Sequence, residues 1–264
     1  TMKKDSLKKA SIGTIALFET HYSHRLSGDV HQSFLSNKKE WIEILRYITP
    51  KRNFIISTYE KVSGPKDYEK VHFKMIEATD STDPAAFFCL GNTYLTKVKN
   101  LEKAYNAFGK SVNIDSSYTE GFLGLGKTMV QKRNYKSAID FFNKGLELSP
   151  NNFNILIQKG VAQINMKKFN AAIKTLKKAS KANKKDHSSW FYIGLAYQNQ
   201  KKLKEALKAY EQSLKLKPTF AEAWQNVSII QYRQKDKKSA CQNIKKAEKY
   251  GSVSAKKLIR QICN

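Results

Sequence analysis

The sequence predicts an all-α protein that stacks several copies of one antiparallel helix pair. Three features recur along its 264 residues: an alanine, a bulky residue four positions after it, and a small residue 12 or 13 positions before it. Successive alanines lie 34 residues apart. A fixed period of this length is the sequence signature of a solenoid. The members are Ala104, Ala138, Ala172, Ala206 and Ala240; Phe108, Phe142, Leu176, Tyr210 and Ile244; and Gly91, Gly126, Gly160, Gly194 and Ser228.

The recurring positions have a physical interpretation in a pair of crossing helices. The small residue on the first helix and the alanine on the second let the two backbones approach closely. Large residues one turn away fill the space between neighbouring pairs. One pair cannot bury its apolar face alone, so nearest-neighbour contacts must hold the stack together. A further large residue stands four positions before each small one, at Phe87, Phe122, Leu156, Trp190 and Trp224.

The most regular copy lies near the middle of the second half of the chain. It has the pattern W-x2-I-G-x2-Y, then A-x3-Y, then P, at Trp190, Ile193, Gly194, Tyr197, Ala206, Tyr210 and Pro218. This pattern resembles the tetratricopeptide repeat (TPR) family, whose 34-residue unit is a helix–turn–helix. The resemblance implies a right-handed TPR superhelical solenoid. The third copy departs most, because Lys159 takes a usually apolar position and Lys184 replaces the final proline.

The copies also set the predicted domain organisation. The five repeats span 84–254, at 84–118, 119–152, 153–186, 187–220 and 221–254. Residues 255–264 are predicted to form a C-terminal capping helix, and Val253, Leu258, Ile259 and Ile262 are expected to point inward. Residues 1–83 are predicted to be irregular but mainly helical, with 50–80 as a degenerate repeat. A separate small domain is left open there, as is the fold of 30–65.

The net charge of +26 is concentrated in the repeats. They hold 31 Lys and Arg against 11 Asp and Glu, whereas residues 1–83 hold 14 against 11. Basic residues fall in the turn between the two helices of every repeat, which predicts a basic edge along the solenoid. Solvated turns in a lysine-rich chain are one explanation. The alternative is electrostatic binding of nucleic acid or an anionic membrane. The edge residues are Lys99, Arg133, Lys167, Lys201 and Lys235.

The resemblance implies a partner-binding groove formed by the first helix of each repeat. Its wall is mostly apolar with amides, which suits a peptide or an amphipathic helix. Packing of these side chains against the next repeat is the alternative. One family subtype binds acidic chaperone tails through a lysine and asparagine clamp, but Phe88 and Gly124 stand where that clamp needs Lys and Asn. The groove residues are Phe88, Asn92, Leu123, Lys127, Ile157, Val161, Phe191, Leu195, Gln225 and Ile229.

No motif in the sequence supports catalysis. Residues 121–128 match the string G-x4-G-K-T, but no buried strand precedes them, and Gly126 is a repeat glycine that should be helical. His21, His24 and His31 lack the HExxH pattern and have no nearby cysteine. We therefore expect no enzyme activity, no cofactor, no metal site and no small-molecule substrate.

The cysteines bear on the compartment. Cys241 begins the last repeat's second helix and Cys263 ends the predicted capping helix, so an antiparallel hairpin would bring them level. Either a disulfide or two reduced thiols fits the sequence. A disulfide would indicate an oxidising compartment. Thr1 precedes Met2, so a leader could have been removed. We expect an extracytoplasmic or membrane-associated protein if both conditions hold, and a cytoplasmic one otherwise.

Together these observations predict a non-catalytic scaffold or adaptor. Its partner is expected to be a protein segment bound in the groove, and the electrostatic alternative would use the basic edge. The partner's identity and the oligomeric state are not encoded in any pattern that we find.

Overall fold

A computed structural model describes residues 84–263, apart from the side chain of Lys97. The irregular N-terminal region predicted for 1–83, with its degenerate repeat, lies outside the described residues. Within the described range every regular element is a helix. The α-helices are α1 Pro84–Thr93, α2 Leu101–Ile114, α3 Thr119–Gln131, α4 Tyr135–Leu148, α5 Phe153–Asn165, α6 Phe169–Ala182, α7 Ser188–Asn199, α8 Leu203–Leu216, α9 Ala221–Arg233, α10 Lys237–Lys249 and α11 Ala255–Ile262.

The chain divides into two compact units, one ending at Asn134 and the other beginning at Tyr135. In the first unit α2 packs against both α1 and α3. In the second unit each helix from α5 onward packs against the next one along the chain. Helices that contact their sequence neighbours in order form the quasi-one-dimensional stack that a repeat predicts. No described helix is long and apolar enough to cross a membrane.

The first repeat contains one extra residue, and the structure shows where it is accommodated. Gly91 lies 13 positions before its alanine, whereas the later glycines lie 12 before theirs. The end of α1 continues into a π-helical segment, Tyr94–Val98. A π-type turn has one more residue per hydrogen-bonded ring than an α-helical turn, so it absorbs a single inserted residue. The repeat register therefore resumes at Ala104.

Several helices of the array begin with a side-chain cap. Asn100, Asn152 and Asp236 each accept a hydrogen bond from the backbone N–H three residues later, at 3.0, 3.2 and 3.1 Å. Asp186 accepts from the N–H of Ser189 at 2.9 Å. Each cap satisfies one of the amides that a helix start leaves without an intrahelical partner. These polar residues therefore fix the turns between successive helices.

The repeated glycines permit close helix contact, as predicted. A Cβ atom built on Gly160 would lie 2.6 Å from Leu176 Cδ2, and one on Gly194 would lie 2.7 Å from the Tyr210 ring. In the first unit Phe108 lies against two glycines, since a Cβ would approach its ring within 2.6 Å at Gly91 and 2.3 Å at Gly124. Each bulky residue thus occupies the space that the missing side chain leaves.

This packing predicts opposite effects for two glycine substitutions. Gly194→Ala should destabilise the protein by about 1–3 kcal/mol, because the new methyl group overpacks the Tyr210 ring. Gly109→Ala should stabilise it by about 0.5–1 kcal/mol, since a helical glycine is replaced and no atom lies within 4 Å of the new carbon. Urea unfolding of both variants measures the difference. If both substitutions changed the free energy of unfolding by the same amount and in the same direction, close packing at Gly194 would not explain the effect of Gly194→Ala.

A helix is present where the C-terminal capping helix was predicted, but one of the residues expected to point inward is exposed. Helix α11 packs on α10, where Ala255 and Ile262 are buried and Leu258 and Ile259 pack against the same cluster. Val253 is 91% exposed, so the expectation that it points inward is wrong. The helix begins only at Ala255, and Val253 therefore lies in the preceding turn rather than on the helix face. Ala255 provides the inward contact instead.

A disulfide joins Cys241 on α10 to Cys263 at the end of α11, with the two Cα atoms 4.9 Å apart. The bond closes the hairpin at its open end, opposite the turn at Gly251. It thereby holds α11 over the apolar side chains of α10, which include Ala240, Ile244 and Ala247.

Candidate functional site

The second unit contains six of the predicted groove residues on the first helices of three successive repeats. They form two rows in the 34-residue register, one with Ile157, Phe191 and Gln225 and the other with Val161, Leu195 and Ile229. Helices α5 and α7 lie in contact, so the wall residues on α5 are neighbours of those on α7. All six side chains are uncharged, although residues 135–264 hold 27 Lys and Arg against 8 Asp and Glu. We call these six residues the neutral wall.

Most of the neutral wall is accessible. Val161, Phe191, Leu195 and Ile229 are half-buried, whereas Ile157 is only 7% exposed and belongs to the core between α5, α6 and α7. The expectation that apolar groove residues could be used in packing therefore applies fully to Ile157 and in part to Val161 and Phe191, which also pack against core clusters. The other four offer an apolar surface in a strongly basic unit. A surface that avoids charge in this way is typical of the central part of a protein interface.

Phe191 lies at the centre of an aromatic cluster. Its ring centroid is 4.9 Å from that of Phe220, 5.4 Å from Tyr192 and 5.7 Å from Tyr210. His187 also contacts this cluster, with its ring centroid 4.6 Å from that of Phe220. Burial lowers the pKa of His187, the Lys217 ammonium lowers it further, and Asp186 and Glu222 oppose the shift. The imidazole is therefore an uncharged part of the cluster near neutral pH.

Sequence reasoning placed Phe191 in the groove but missed His187 and Phe220. Both residues stand one position before a helix of the array, at the boundary between repeats. The sequence does contain a signal for this contact, because an aromatic residue stands directly before the first helix of two successive repeats. Residues at equivalent positions of successive repeats are neighbours in a stack.

Gln225 of the neutral wall and two other amide side chains of the first helices, Asn199 and Gln198, make bonds within the protein. Gln225 Oε1 accepts hydrogen bonds from the hydroxyl groups of Ser252 and Ser254, both at 2.6 Å. Asn199 Nδ2 donates to the Leu195 carbonyl oxygen at 2.8 Å, and Gln198 Oε1 accepts from the Tyr210 hydroxyl at 2.7 Å. Gln225 thus ties the turn before α11 to α9, which is a structural role. The apolar residues rather than this glutamine carry the accessible surface of the wall.

The four predicted groove residues of the first unit are less accessible. Phe88 and Leu123 are each 7% exposed, and Phe88 packs its ring against Phe108 and Tyr118. Asn92 and Lys127 are half-buried. Burial lowers the pKa of the Lys127 ammonium. Phe88 and Leu123 therefore act as core residues in this arrangement.

The G-x4-G-K-T string is helical along its whole length. Residues 121–128 lie within α3, and the Thr128 hydroxyl donates to the Gly124 carbonyl oxygen at 2.9 Å. A phosphate-binding loop needs free backbone N–H groups that converge on the ligand. Helical amides are used in the helix, so this segment has no nucleotide-binding geometry.

The three histidines that the sequence analysis weighed and rejected as metal ligands, His21, His24 and His31, lie outside the described residues. Within 84–263, no three His, Cys, Asp or Glu side chains cluster in a way that could hold a metal ion.

The five residues of the predicted basic edge share one unusual backbone conformation. Their φ angles lie between 56° and 67°, in the left-handed region, and their side chains are exposed. Lys167 shows the pattern. Its N–H donates to the Ile164 carbonyl and that of Lys168 to the Gln163 carbonyl, both at 2.8 Å. This is a Schellman helix end, where glycine is the usual residue. Two of the five, Lys99 and Arg133, belong to the first unit, and Lys167, Lys201 and Lys235 belong to the second.

The charge of these residues has a partial structural explanation. A left-handed conformation costs about 1–2 kcal/mol for a residue with a Cβ atom. A positive charge at a helix C-terminus contributes about 0.3–1 kcal/mol through the helix dipole. The dipole term therefore offsets part of the backbone cost. The basic edge is consistent with helix capping, and binding of nucleic acid or membrane by these residues stays a prediction.

Comparison with known proteins identifies the repeat. Two family models described as tetratricopeptide repeat match residues 129–192 and 187–220. A search of curated proteins finds no match. Three solved structures illustrate the likeness. A crystal structure of MamA is 26% identical, with a TM-score of 0.55, and covers 63% of this chain and 97% of that one.

The second is YrrB, described as a TPR protein with an unusual peptide-binding site. It is 25% identical with a TM-score of 0.52, covering 68% of this chain and 92% of that one. PilF of Pseudomonas aeruginosa is 22% identical with a TM-score of 0.60, covering 66% and 78%. These matches confirm the predicted repeat and the all-α solenoid fold class.

Proposed function

Because residues 129–220 of this chain match tetratricopeptide repeat models, we propose that it is a non-catalytic scaffold that binds a segment of a partner protein on its neutral wall. Repeats of this type generally serve in protein–protein interaction, and YrrB, a similar structure, is described as binding a peptide. The observation that carries the proposal is the accessible apolar surface of Val161, Phe191, Leu195 and Ile229 in a unit with strong positive charge elsewhere.

The chemistry of the wall defines the class of segment. Side chains four residues apart on parallel first helices suit an amphipathic helix or an extended peptide that docks with apolar residues. Phe191 is the expected anchor contact, since buried aromatic residues dominate the binding energy of many interfaces. The surrounding positive charge favours a partner that is acidic outside its apolar residues, because complementary charge speeds association.

Affinity capture from native lysate, with and without nuclease, tests this proposal. A discrete protein that survives nuclease and moderate salt supports the neutral wall as the binding surface. Loss of all bound material after nuclease would instead favour the basic edge. Once the partner is identified, its affinity for variants can be measured directly.

Two variants separate the wall from the rest of the surface. Phe191→Asp should abolish capture, and Leu195→Asp should weaken binding by about 2 kcal/mol or more, because a charge would be buried against apolar partner atoms. Leu216→Asp is the matched control, since Leu216 is 40% exposed at the end of α8 and lies outside the wall. Circular dichroism checks that each variant is folded. Equal binding by Leu195→Asp and Leu216→Asp would refute the neutral wall as the site.

The compartment is part of the same proposal. We infer an oxidising compartment, such as a periplasm or the cell exterior, from the Cys241–Cys263 disulfide. Thiol labelling of the protein isolated from its native host under alkylating conditions would test the inference. Full labelling of both cysteines would place the protein in a reducing environment.

A further inference from the structure

Val253 has the most exposed large apolar side chain among the residues that the structure describes, at 91%. It lies in the turn between α10 and α11. A lone exposed valine is ordinary on a protein surface, so its surroundings decide whether it has a function. The equivalent residues of the other four repeats are also exposed, but all of them are polar: Ser117, Asn151, Lys185 and Thr219.

The turn that carries Val253 is fixed on both sides of this residue. The hydroxyl groups of Ser252 and Ser254 both donate to Gln225 Oε1 at 2.6 Å. The Ser252 N–H donates to the Ala247 carbonyl oxygen of α10 at 2.9 Å. Because both of its neighbours are anchored to α9, the valine side chain is directed toward solvent. An apolar side chain that is already held outward loses little conformational entropy on binding, which favours association.

Lysines flank the turn on both sides. Lys246 and Lys249 lie in the last turn of α10, and Lys256 and Lys257 lie in the first turn of α11. All four are exposed, and none is ion-paired with a carboxylate in the described part of the chain. Residues 245–264 hold six Lys and Arg against one Glu. A positive charge in the first turn of a helix opposes the helix dipole, so helix stability does not explain Lys256 and Lys257.

We propose that this turn, residues 249–257, binds an anionic membrane surface, and we call it the docking turn. Val253 enters the boundary between headgroups and acyl chains, and the lysines contact the anionic headgroups. Tyr250, which is 37% exposed, suits the same boundary because tyrosine is enriched at membrane interfaces. The Lys249 ammonium lies 6.0 Å from the centroid of the Tyr250 ring, so charge and aromatic surface are presented together.

A lipid surface fits the docking turn better than an acidic protein does. Val253 protrudes into solvent rather than lining a recess that could receive a partner side chain. Stable protein interfaces need matching shapes, whereas a fluid bilayer adapts to a protruding residue. The long lysine side chains keep their charges at the level of the headgroups while the valine enters below them. The docking turn shares no residue with the neutral wall or the basic edge, so its test is independent of theirs.

Cosedimentation of the full chain with lipid vesicles tests the docking turn. We expect saturable binding to phosphatidylcholine vesicles that contain phosphatidylglycerol, and much weaker binding to phosphatidylcholine alone. Val253→Ser should lower the affinity about tenfold, since it removes the apolar side chain that enters the bilayer. Leu148→Ser is the matched control, because Leu148 is 45% exposed at the end of α4 and lies outside the docking turn. Its affinity should not change.

A pair of lysine variants tests the charge. Lys256→Gln/Lys257→Gln should weaken binding about twentyfold, because each lysine near an anionic membrane strengthens binding by about fivefold. Lys177→Gln/Lys178→Gln is the control with the same loss of charge, since both lysines are exposed on α6. Its affinity should fall far less. Equal losses in the two double variants would show that net charge rather than the docking turn attracts the membrane, and would overturn the proposal.

Val253→Trp separates insertion from electrostatic attraction. The indole should strengthen binding, and its fluorescence should shift to shorter wavelengths on anionic vesicles, because tryptophan prefers the membrane interface. Circular dichroism checks that each variant is folded. Unchanged affinity in Val253→Ser, or no saturable binding of the unmodified protein, would overturn the proposal. If vesicles do not bind and Val253→Ser instead abolishes capture of an acidic protein, that protein occupies the turn and the membrane does not.

Discussion

Tyr210→Ala is expected to lower the free energy of unfolding by about 3–5 kcal/mol. Tyr210 is fully buried, its ring occupies the space left by Gly194, and it contacts residues of α9 in the next repeat. Alanine would leave a cavity between two repeats that rigid helices cannot fill. Urea unfolding measures the loss. Tyr250→Ala is the control, because Tyr250 is 37% exposed and its removal should change stability by less than about 0.5 kcal/mol.

Tyr210→Phe separates the ring from its hydroxyl group. The hydroxyl donates to Gln198 Oε1 at 2.7 Å, and its loss should cost about 1 kcal/mol. Burial raises the pKa of Tyr210 above its ordinary value of 10.0, so the unfolded chain ionises first. The stability of the native protein should therefore decrease as the pH rises above 10.0, and Tyr210→Phe should show a shallower decrease. If the stability of both proteins decreased equally steeply with rising pH, ionisation of Tyr210 would not contribute to the alkaline loss of stability.

Removal of the Cys241–Cys263 disulfide should release α11. The two cysteines are 22 residues apart, and closing a loop of that length stabilises a folded segment by about 3 kcal/mol. Helix α11 has 8 residues, which is too short to be stable by itself. In Cys241→Ala/Cys263→Ala, hydrogen exchange of the α11 amides should accelerate by roughly a hundredfold.

The same experiment includes its own controls. Helices α5 and α6 lie away from the disulfide, so their exchange should change little. Reducing agent should reproduce the effect in the unmodified protein and have no effect on the double alanine variant. If the α11 amides exchange at the same rate with and without the disulfide, apolar packing of Ala255 and Ile262 suffices to hold the helix.

The sequence predicted the fold well because the period is encoded in packing. A glycine opposite a bulky residue, repeated every 34 residues, admits few arrangements other than stacked helix pairs. The spacing of Gly91 and Ala104 shows that the first repeat has one extra residue. It does not show that a π-helical segment, Tyr94–Val98, accommodates this residue. No residue type in the sequence marks the place where the helix widens.

The candidate site was predicted less completely, for a physical reason. The register assigns residues to a helix face, but it does not say which neighbour covers them. Phe88 and Ile157 lie on the expected face and are nevertheless buried, and Gln225 is bonded to the turn before α11. Val253 shows the same limit, since a shift of two residues in a helix start moved it from the core to solvent. Contacts between segments decided the cases of Phe88, Ile157 and Gln225, and a helix boundary decided that of Val253.

Helix α11 also determines whether the apolar face of α10 is exposed. It lies on the apolar side chains of α10, where the first helix of an additional repeat would have to dock. Another copy of the chain could stack end to end at this point only by displacing α11, and the disulfide ties α11 to α10. The disulfide therefore keeps the apolar side chains of α10 covered, and its reduction would leave only the packing of α11 to cover them.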